Sequence, residues 1–191
     1  MKLVLALLCV VGVVYGQVPR PCLAPPLWEG KIVEIDPSKK FETRARVAYD
    51  AYNERFHSIE EVNLNDKKEF YSSLFLHKER KEYNLNLKTG KCTSKELTRP
   101  FHYIGIPENA TFYGETIIGS LSAPGEGVTV QLWGGTTSEG SRYAGTWTVR
   151  GCIPVHDSYF SEHTGFISTS FFDVVAGIHD PEVFIPPKEC L

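Results

Sequence analysis

Apolar and polar side chains alternate one for one along much of this chain, and this period of two restricts the fold more than any other feature of the sequence. The segment FETRARVAY (41–49) shows it best, because most of its apolar residues fall on one face of an extended strand and its charged residues on the other. Further strand-like segments recur at 27–35, 56–62, 70–77, 83–88, 101–106, 111–118, 128–132, 143–150 and 166–175. Short strands separated by Gly, Pro and Asn turns predict an all-β domain, an antiparallel sandwich or barrel.

Five segments carry more specific structural predictions. The segment 70–77 is apolar on both faces, which is typical of a central strand. The segments 101–106 and 111–118 flank a turn and look like the two arms of a hairpin. The apolar residues from 171 to 178 fit either a strand or a helix. Asp180-Pro181-Glu182 resembles an N-cap followed by proline, which predicts a short helical turn.

The first 16 residues have the layout of a secretory signal peptide. Lys2 supplies a basic start, residues 3–14 form an uncharged apolar run, and Val14-Tyr15-Gly16 fits a cleavage site. This run is shorter than the roughly 20 residues that span a bilayer. We therefore expect cleavage after Gly16, which leaves residues 17–191 as one secreted, soluble domain with no transmembrane segment.

Cysteine content and one sequon agree with an extracellular protein. Cys9 would leave with the signal peptide, and the four that remain predict two disulfides in an oxidising compartment: Cys22, Cys92, Cys152 and Cys190. Counting leaves all three pairings open. The long spacings exclude a Cys-x-x-Cys metal unit. Asn109-Ala110-Thr111 is an N-glycosylation sequon, so we expect a glycan on Asn109.

Charge and motif content exclude several classes of function. The chain has 20 Lys and Arg against 23 Asp and Glu, a net charge of −3, and no basic stripe for nucleic acid. It contains no Gly-x-Ser-x-Gly motif, no His-Glu-x-x-His helix and no phosphate-binding glycine loop. Pairing of all four cysteines would leave no thiol nucleophile. We therefore predict that the protein is not an enzyme and requires no cofactor.

Calcium is the one ion that the sequence leaves open. No EF-hand loop is present, but five scattered acidic residues could converge in space: Asp36, Glu60, Glu61, Asp66 and Asp173. The sequence does not say which residues would hold a metal.

The supply of aromatic residues points to a large apolar interior. With 11 Phe, 9 Tyr and 3 Trp, the sheets either fill their core or leave a ligand cavity. As candidate pocket residues we select apolar members of the alternating strands, each of which also fits an ordinary core position: Val47, Tyr49, Leu74, Leu76, Leu85, Leu87, Val130, Leu132 and Trp147.

Gly145-Thr146-Trp147 matches the Gly-x-Trp signature of the lipocalins, which are secreted ligand carriers of similar length. Lipocalins carry that signature on the first strand, whereas here it lies late in the chain. A three-residue match occurs easily by chance, so we reject that family.

A longer set of motifs resembles the ependymin-related proteins, of the mammalian ependymin-related type. The matching segments are PCLAPPLWEG (21–30), TGKC (89–92), GCIPV (151–155) and GIHDPEVFIPPKEC (177–190). The resemblance runs along essentially all of residues 17–191, with cysteines in matching contexts. Together these motifs are specific, whereas none of them would be alone.

The resemblance implies a secreted glycoprotein that forms homodimers and is associated with calcium binding and cell adhesion. It implies two stacked antiparallel sheets, a half-barrel or sandwich around a deep hydrophobic pocket, similar to bacterial periplasmic lipoprotein carriers. It pairs Cys22 with Cys152 and Cys92 with Cys190. Some vertebrate relatives have a third disulfide, and this chain lacks the two cysteines for it.

Two hypotheses of function follow. The first is a secreted glycoprotein that binds a lipid or fatty acid between two sheets. The alternative is a calcium-sensitive protein of the extracellular matrix or cell surface, without a physiological small ligand.

Overall fold

The alternating segments fold into a single antiparallel sheet. The structure is a computed structural model that describes residues 19–162 and 165–191. The predicted signal peptide, with its cleavage site and Cys9, lies outside the described residues. Within the described ranges the strands are β1 (Leu27–Asp36), β2 (Phe41–Asp50), β3 (Arg55–Leu64), β4 (Lys67–Leu76), β5 (Lys81–Asn86), β6 (Cys92–Glu96), β7 (Thr111–Gly119), β8 (Gly127–Thr136), β9 (Arg142–Thr148), β10 (Pro154–Ser161) and β11 (Gly165–Ala176).

Three short 3-10 helices complete the secondary structure of the described residues: η1 (Pro37–Lys39), η2 (Pro181–Phe184) and η3 (Lys188–Cys190). The helical turn predicted after Asp180 is η2, and the Asp180 side chain accepts a hydrogen bond from the backbone N–H of Glu182. The apolar residues around 171–175 belong to β11, so of the two predictions for that segment the strand is confirmed.

The strands are arranged as two meanders that meet at a central seam. The order across the sheet is β6-β5-β4-β3-β2-β1-β11-β10-β9-β8-β7, and the sheet is not closed into a barrel. Every neighbouring pair is consecutive in sequence except β1 and β11, which pair from Trp28 opposite Ala176 to Ile35 opposite Ser168. The all-β fold is therefore confirmed, with the two halves continuous through hydrogen bonds at this seam.

Local turn chemistry explains how the first meander forms. Asn65 and Asp66 alone connect β3 to β4, and both have left-handed φ angles of 51° and 65°. A two-residue hairpin turn with two positive φ angles matches the twist of the flanking strands, and Asn and Asp tolerate that conformation well. Asp36 caps η1 between β1 and β2 by accepting hydrogen bonds from the backbone N–H groups of Ser38 and Lys39.

The sheet has an inner and an outer face. We call inner the face that carries Trp28, Tyr49 and Trp147, and we call residues 99–106 the strap, because they cross this face. Residues 101–106 of the strap are predicted from the sequence to form a hairpin with 111–118, and this is wrong: they contribute a single isolated bridge, Leu23 with Gly105. Instead β7 pairs with β8. Strands β6 and β10 were not expected from the sequence.

The strap shows that the inner face is concave. Ile104 packs against the cluster around Tyr49 on β2, whereas Ile106 packs against Trp133 and Trp147 on β8 and β9. Strands β2 and β9 are four positions apart in the sheet, which is ~19 Å if the sheet is flat. Residues 104 and 106 lie within ~7 Å of each other along the chain. The sheet must therefore curl around the strap to reach both side chains.

The C-terminal segment covers part of the outer face. Phe184 of η2 is buried against Ala48, Leu74 and Leu76, and the Arg55 guanidinium lies 4.3 Å from its ring centroid. The chain then runs to η3.

Two disulfides join distant parts of the chain. Cys22 pairs with Cys152, and Cys92 pairs with Cys190, so the pairing implied by the family resemblance is confirmed. The first connects the segment before β1 to the β9–β10 turn. The second connects edge strand β6 to η3 at the C-terminal end.

Candidate functional site

A row of aromatic rings crosses the inner face from β1 to β4. Trp28, Tyr49, Phe56 and Phe75 occupy directly paired positions on four neighbouring strands. The Trp28 and Tyr49 rings stack at 5.5 Å, and the Phe56 and Phe75 rings lie 6.1 Å apart. Because alternate residues of each strand share a face, one aromatic residue per strand in register is enough to build a continuous aromatic wall.

The strap forms the opposite wall. Phe101 stacks on Tyr49 with 5.4 Å between ring centroids, and the backbone N–H of Ile104 donates a hydrogen bond of 3.1 Å to the Tyr49 hydroxyl. Burial raises the pKa of Tyr49, so this hydroxyl stays protonated at any physiological pH. These contacts fix the strap at a defined distance from the sheet.

Between the two walls lies a cavity of about 270 Å³, which we call the cleft. Its walls are mainly aromatic and aliphatic, and its remaining lining residues are basic or proline: Tyr49, Phe56, Phe75, His77, Arg99, Pro100, Phe101, His102 and Ile104. Small-molecule sites have this character, an apolar concave wall with a few polar groups. The cleft volume lies just below the roughly 300–1,000 Å³ range of such sites.

Carboxyl groups lie further along the inner face. Glu34 on β1 and Asp157 on β10 lie on either side of Thr169 on β11, and the Thr169 hydroxyl donates to Glu34 at 3.4 Å. Burial raises the pKa of Glu34, and the charges of Asp157 and Glu60 raise it further. Burial also raises the pKa of Asp157, against the lowering effect of hydrogen bonding to Thr169. These two carboxyl groups therefore hold their protons more tightly than ordinary carboxyl groups do.

A second cavity, of about 390 Å³, lies on the outer face beside η2, and we call it the outer groove. Ala48, His57 and Ile59 contribute to its walls, but Arg46 and the ion pair between Lys31 and Asp173 (2.6 Å) also line it. It is larger than the cleft but is not enclosed by aromatic rings. Large aromatic surfaces supply most of the binding energy for apolar ligands, so the cleft is the stronger candidate.

The nine residues selected from the sequence do not come together in one place. Val47, Tyr49 and Trp147 lie on the inner face, and of these Tyr49 lines the cleft. Leu74 and Leu76 are buried on the outer face under Phe184, and Leu85 lies on the same face of the neighbouring strand. The remaining three lie elsewhere. Val130 (buried) and Leu132 (exposed) are on β8, and Leu87 (exposed) lies just after β5.

Of the nine cleft-lining residues the sequence singled out only Tyr49; the others are Phe56, Phe75, His77, Arg99, Pro100, Phe101, His102 and Ile104. Phe56 and Phe75 could be found by counting outward from the hairpin turns, because register follows from turn position. The strap carried a different signal. Its residues 101–106 are bracketed by two prolines, at 100 and 107, which is unusual for a paired strand because proline cannot donate to the ladder.

Gly145 and Trp147 have a packing relationship that accounts for their spacing. They lie on the same inner face of β9, and the Trp147 ring folds back over Gly145 so closely that a Cβ there would overlap the indole carbons. Trp147 itself is buried among Ile106, Trp133 and Cys152. The Gly-x-Trp triplet therefore serves the local packing of β9.

Asn109 lies in the exposed turn that leads into edge strand β7. Its side chain is in solvent, and the turn is closed by a 2.9 Å hydrogen bond from the Ala110 N–H to the Pro107 carbonyl. A sequon in this position is accessible to glycosylation, which stays a prediction.

The acidic residues considered for calcium are dispersed. Asp36 caps η1, Asp173 pairs with Lys31 and Glu61 pairs with Lys68. Among residues 19–162 and 165–191, no three metal-ligating side chains converge on one point. In the same part of the chain, no helix is long and apolar enough to cross a membrane.

Comparison with known proteins gives consistent matches over nearly the whole chain. The ependymin family model matches residues 65–190. Mammalian ependymin-related protein 1 of Rattus norvegicus is 34% identical over 175 residues, which cover 90% of this chain and 77% of that protein. Ependymin-2 of Carassius auratus is 28% identical over 184 residues, which cover 95% of this chain and 85% of that protein.

One solved structure shares the fold. It is an uncharacterized conserved protein from Thermus thermophilus, with a TM-score of 0.52 and 10% identity, and the match covers 96% of this chain and 95% of that one. At this level of identity the likeness concerns the fold alone.

Proposed function

Because this chain belongs to the ependymin family, we propose that it is a secreted glycoprotein that binds a hydrophobic ligand, a lipid or fatty acid, in the cleft of the inner face. The domain spans residues 17–191 after removal of the signal peptide. Homodimer formation and contact with matrix or cell-surface components belong to the same proposal. The two long-range disulfides and the exposed Asn109 support export to an oxidising compartment.

The observation that carries the proposal is the aromatic cleft itself. Tyr49, Phe56 and Phe75 on one side and Phe101 on the other border a cleft of about 270 Å³ that opens to solvent. In a filled core, all the rings of the sheet would contact the strap, as Tyr49 contacts Phe101, and no cavity of this volume would remain. The Tyr49–Phe101 contact supports a rigid, preformed cleft, which reduces the entropy cost of binding.

The energetics favour a ligand with one hydrocarbon chain. Each buried CH₂ contributes about 0.8 kcal/mol, so roughly ten methylenes contribute a gross ~8 kcal/mol, from which the entropy cost of association is subtracted. The small volume of the cleft argues against a lipid with two full acyl chains lying inside it.

The proposal is tested by native mass spectrometry of protein secreted from eukaryotic cells, followed by organic extraction and lipid analysis. Stoichiometric lipid that survives purification is the expected result. A protein that is empty and also ignores added fatty acids would refute the proposal and would favour the calcium-sensitive matrix role. In that role, calcium at a hundredfold excess over its dissociation constant would add ~2.7 kcal/mol to stability.

Two matched substitutions locate the site. Ile104→Trp fills the cleft, and Ile59→Trp fills the outer groove with the same change of side chain. We expect lipid to be lost from the first variant and retained by the second, with thermal melting curves to confirm that both are folded. The opposite pattern would move the site to the outer groove.

A further inference from the structure

The polar lining of the cleft is one-sided in its charge. Arg99, His77 and His102 line it together with the aromatic rings, and no acidic residue is among the described lining residues. Of those residues Arg99 is the only Lys or Arg. It is exposed, so it lies at the mouth of the cleft.

The guanidinium of Arg99 is placed by the aromatic wall. Its central carbon lies 4.6 Å from the centroid of the Phe75 ring, a cation–π contact. A guanidinium that lies over a ring keeps its N–H donors, which lie in its own plane. Among the described residues no carboxylate forms a salt bridge with Arg99, in contrast to Arg55 and Arg80, which pair with Asp50 and Glu96.

His77 holds the backbone of the same residue and adds no positive charge. Its Nδ1 lies 3.2 Å from the Arg99 carbonyl oxygen, which can only accept, so Nδ1 carries the proton. Burial lowers the pKa of His77, and the neighbouring Arg99 charge lowers it further, against the raising effect of that hydrogen bond. At neutral pH the His77 ring is therefore uncharged, with its proton on Nδ1.

The carboxylate of Glu54 is close enough to raise the pKa of His77, against the larger lowering effect of burial, but among the described residues it forms no salt bridge with Arg99. Glu54 belongs to the β2–β3 turn, accepts a 3.3 Å hydrogen bond from the Tyr103 hydroxyl and is not among the cleft-lining residues. The charge of His102 lowers the pKa of Asp157, but Asp157 lies on β10 beside Thr169 and is not among the cleft-lining residues. A permanent cation whose in-plane donors have no carboxylate partner among the described residues therefore stands at the entrance of an apolar cavity.

We infer that the ligand of the cleft carries a single anionic head group, a carboxylate or a phosphate, which Arg99 binds at the mouth while the hydrocarbon chain lies between the strap and the sheet. This inference rests on the proposed function and specifies the ligand class for the same site. The planar fork of arginine matches the oxygen pair of either head group, and one fixed cation matches one head group.

The test is a series of amphiphiles that share a twelve-carbon tail and differ only in the head group. Laurate, dodecyl phosphate, dodecanol and dodecyltrimethylammonium are titrated calorimetrically, below their micelle concentrations, into delipidated full-length secreted protein. We expect laurate or dodecyl phosphate to bind at least about 10-fold more tightly than dodecanol, because a hydrogen bond to a charged group is worth about that factor or more. The carboxylate and phosphate arms distinguish the two sources of the anion.

Substitutions assign the preference to Arg99. Arg99→Gln should bind anions about 10- to 100-fold more weakly and leave dodecanol unchanged, and Arg99→Lys should restore part of the difference. The matched control is Arg142→Gln, because Arg142 also lies over a phenylalanine ring, Phe160 at 5.2 Å, outside the cleft. It should behave as the wild type.

The outcomes separate this inference from the proposed function. If dodecanol binds as tightly as the anions, or if Arg99→Gln keeps the preference, the head-group inference is wrong while hydrocarbon binding in the cleft stands. If none of the four compounds binds, the proposed function fails and this inference fails with it.

Discussion

Replacement of Gly145 by alanine tests the packing of the inner face most directly. The Trp147 ring occupies the space of the missing Cβ, so the methyl group and the indole cannot both keep their positions. The backbone of Gly145 does not use the left-handed region, and alanine fits its conformation. In the absence of a clash, Gly→Ala at a compatible position stabilises by about 0.4–1 kcal/mol. The steric clash therefore predicts that Gly145→Ala lowers the free energy of unfolding, whereas the entropic effect alone predicts that it raises it.

The magnitude follows from what the ring can do. Trp147 is 5% exposed and packs against Ile106 and Trp133, so it has little room to shift. Overpacking of a filled core costs about 1–3 kcal/mol. The cost is bounded above by complete expulsion of the ring, which corresponds to the about 3–5 kcal/mol of a buried Trp→Ala change. We expect Gly145→Ala to lower the free energy of unfolding by about 1–3 kcal/mol.

The assay is urea unfolding followed by far-ultraviolet circular dichroism, in a double-mutant cycle with Trp147→Leu. In the leucine background the methyl group has space, so Gly145→Ala should be neutral or slightly stabilising. The coupling energy between the two positions is then on the order of 1–3 kcal/mol. If Gly145→Ala is neutral in the wild type, or if its cost persists when Trp147→Leu is also present, the proposed overlap is refuted.

Three other changes have worked-out outcomes. Phe184→Ala should cost about 3–5 kcal/mol in urea unfolding because the ring is 4% exposed, whereas its neighbour Ile185, 62% exposed, should tolerate alanine; equal effects would contradict the packing of η2. Glu34→Gln combined with Asp157→Asn should raise the free energy of unfolding at neutral pH. Both carboxyl groups have a raised pKa in the folded state, so the folded state binds more protons than the unfolded state. The stability of the wild type therefore falls as pH rises from the unfolded pKa through the folded pKa. An unchanged pH slope between the variant and the wild type would argue against this. Asp50→Asn should cost about 3–5 kcal/mol at neutral pH, because it breaks the ion pair with Arg55. Burial tends to raise the pKa of Asp50, but hydrogen bonds from Asn53 and Arg55 outweigh it and lower the pKa. The stability that ionised Asp50 contributes is therefore present above its unfolded pKa and is lost as pH falls through its folded pKa. Acid unfolding that is the same with and without Asp50 would refute it.

The sequence predicted the strands better than their partners. Alternation in 41–49 and the doubly apolar run 70–77 are local signals, and both segments are strands of the expected kind. The pairing of β1 with β11 depends on residues more than 130 positions apart, as between Glu34 and Thr169, and leaves no local trace. For the same reason the strap could not be distinguished from a hairpin arm by hydrophobicity alone.

The cleft was only partly accessible to sequence reasoning because alternation does not say which face is inner. In the run 70–77 both faces are apolar, so Leu74 and Leu76 were as plausible as Phe75, and only Phe75 lines the cleft. Tyr49 was identified because the opposite face of its strand is charged. Arg99 had no signal of its own, because its role depends on the position of the strap over Phe75.

The central seam has a consequence for the order of assembly during synthesis. The first six strands can form a meander as soon as they are made, but the flank of β1 stays open until β11, the last of the described strands, has been synthesised. Both disulfides also wait for the second half, since their cysteines are 130 and 98 residues apart. Such late, non-local pairing is slow and exposes unpaired strand edges in the meantime. A nascent chain that stops before residue 165 would therefore be split through its middle rather than shortened at an edge.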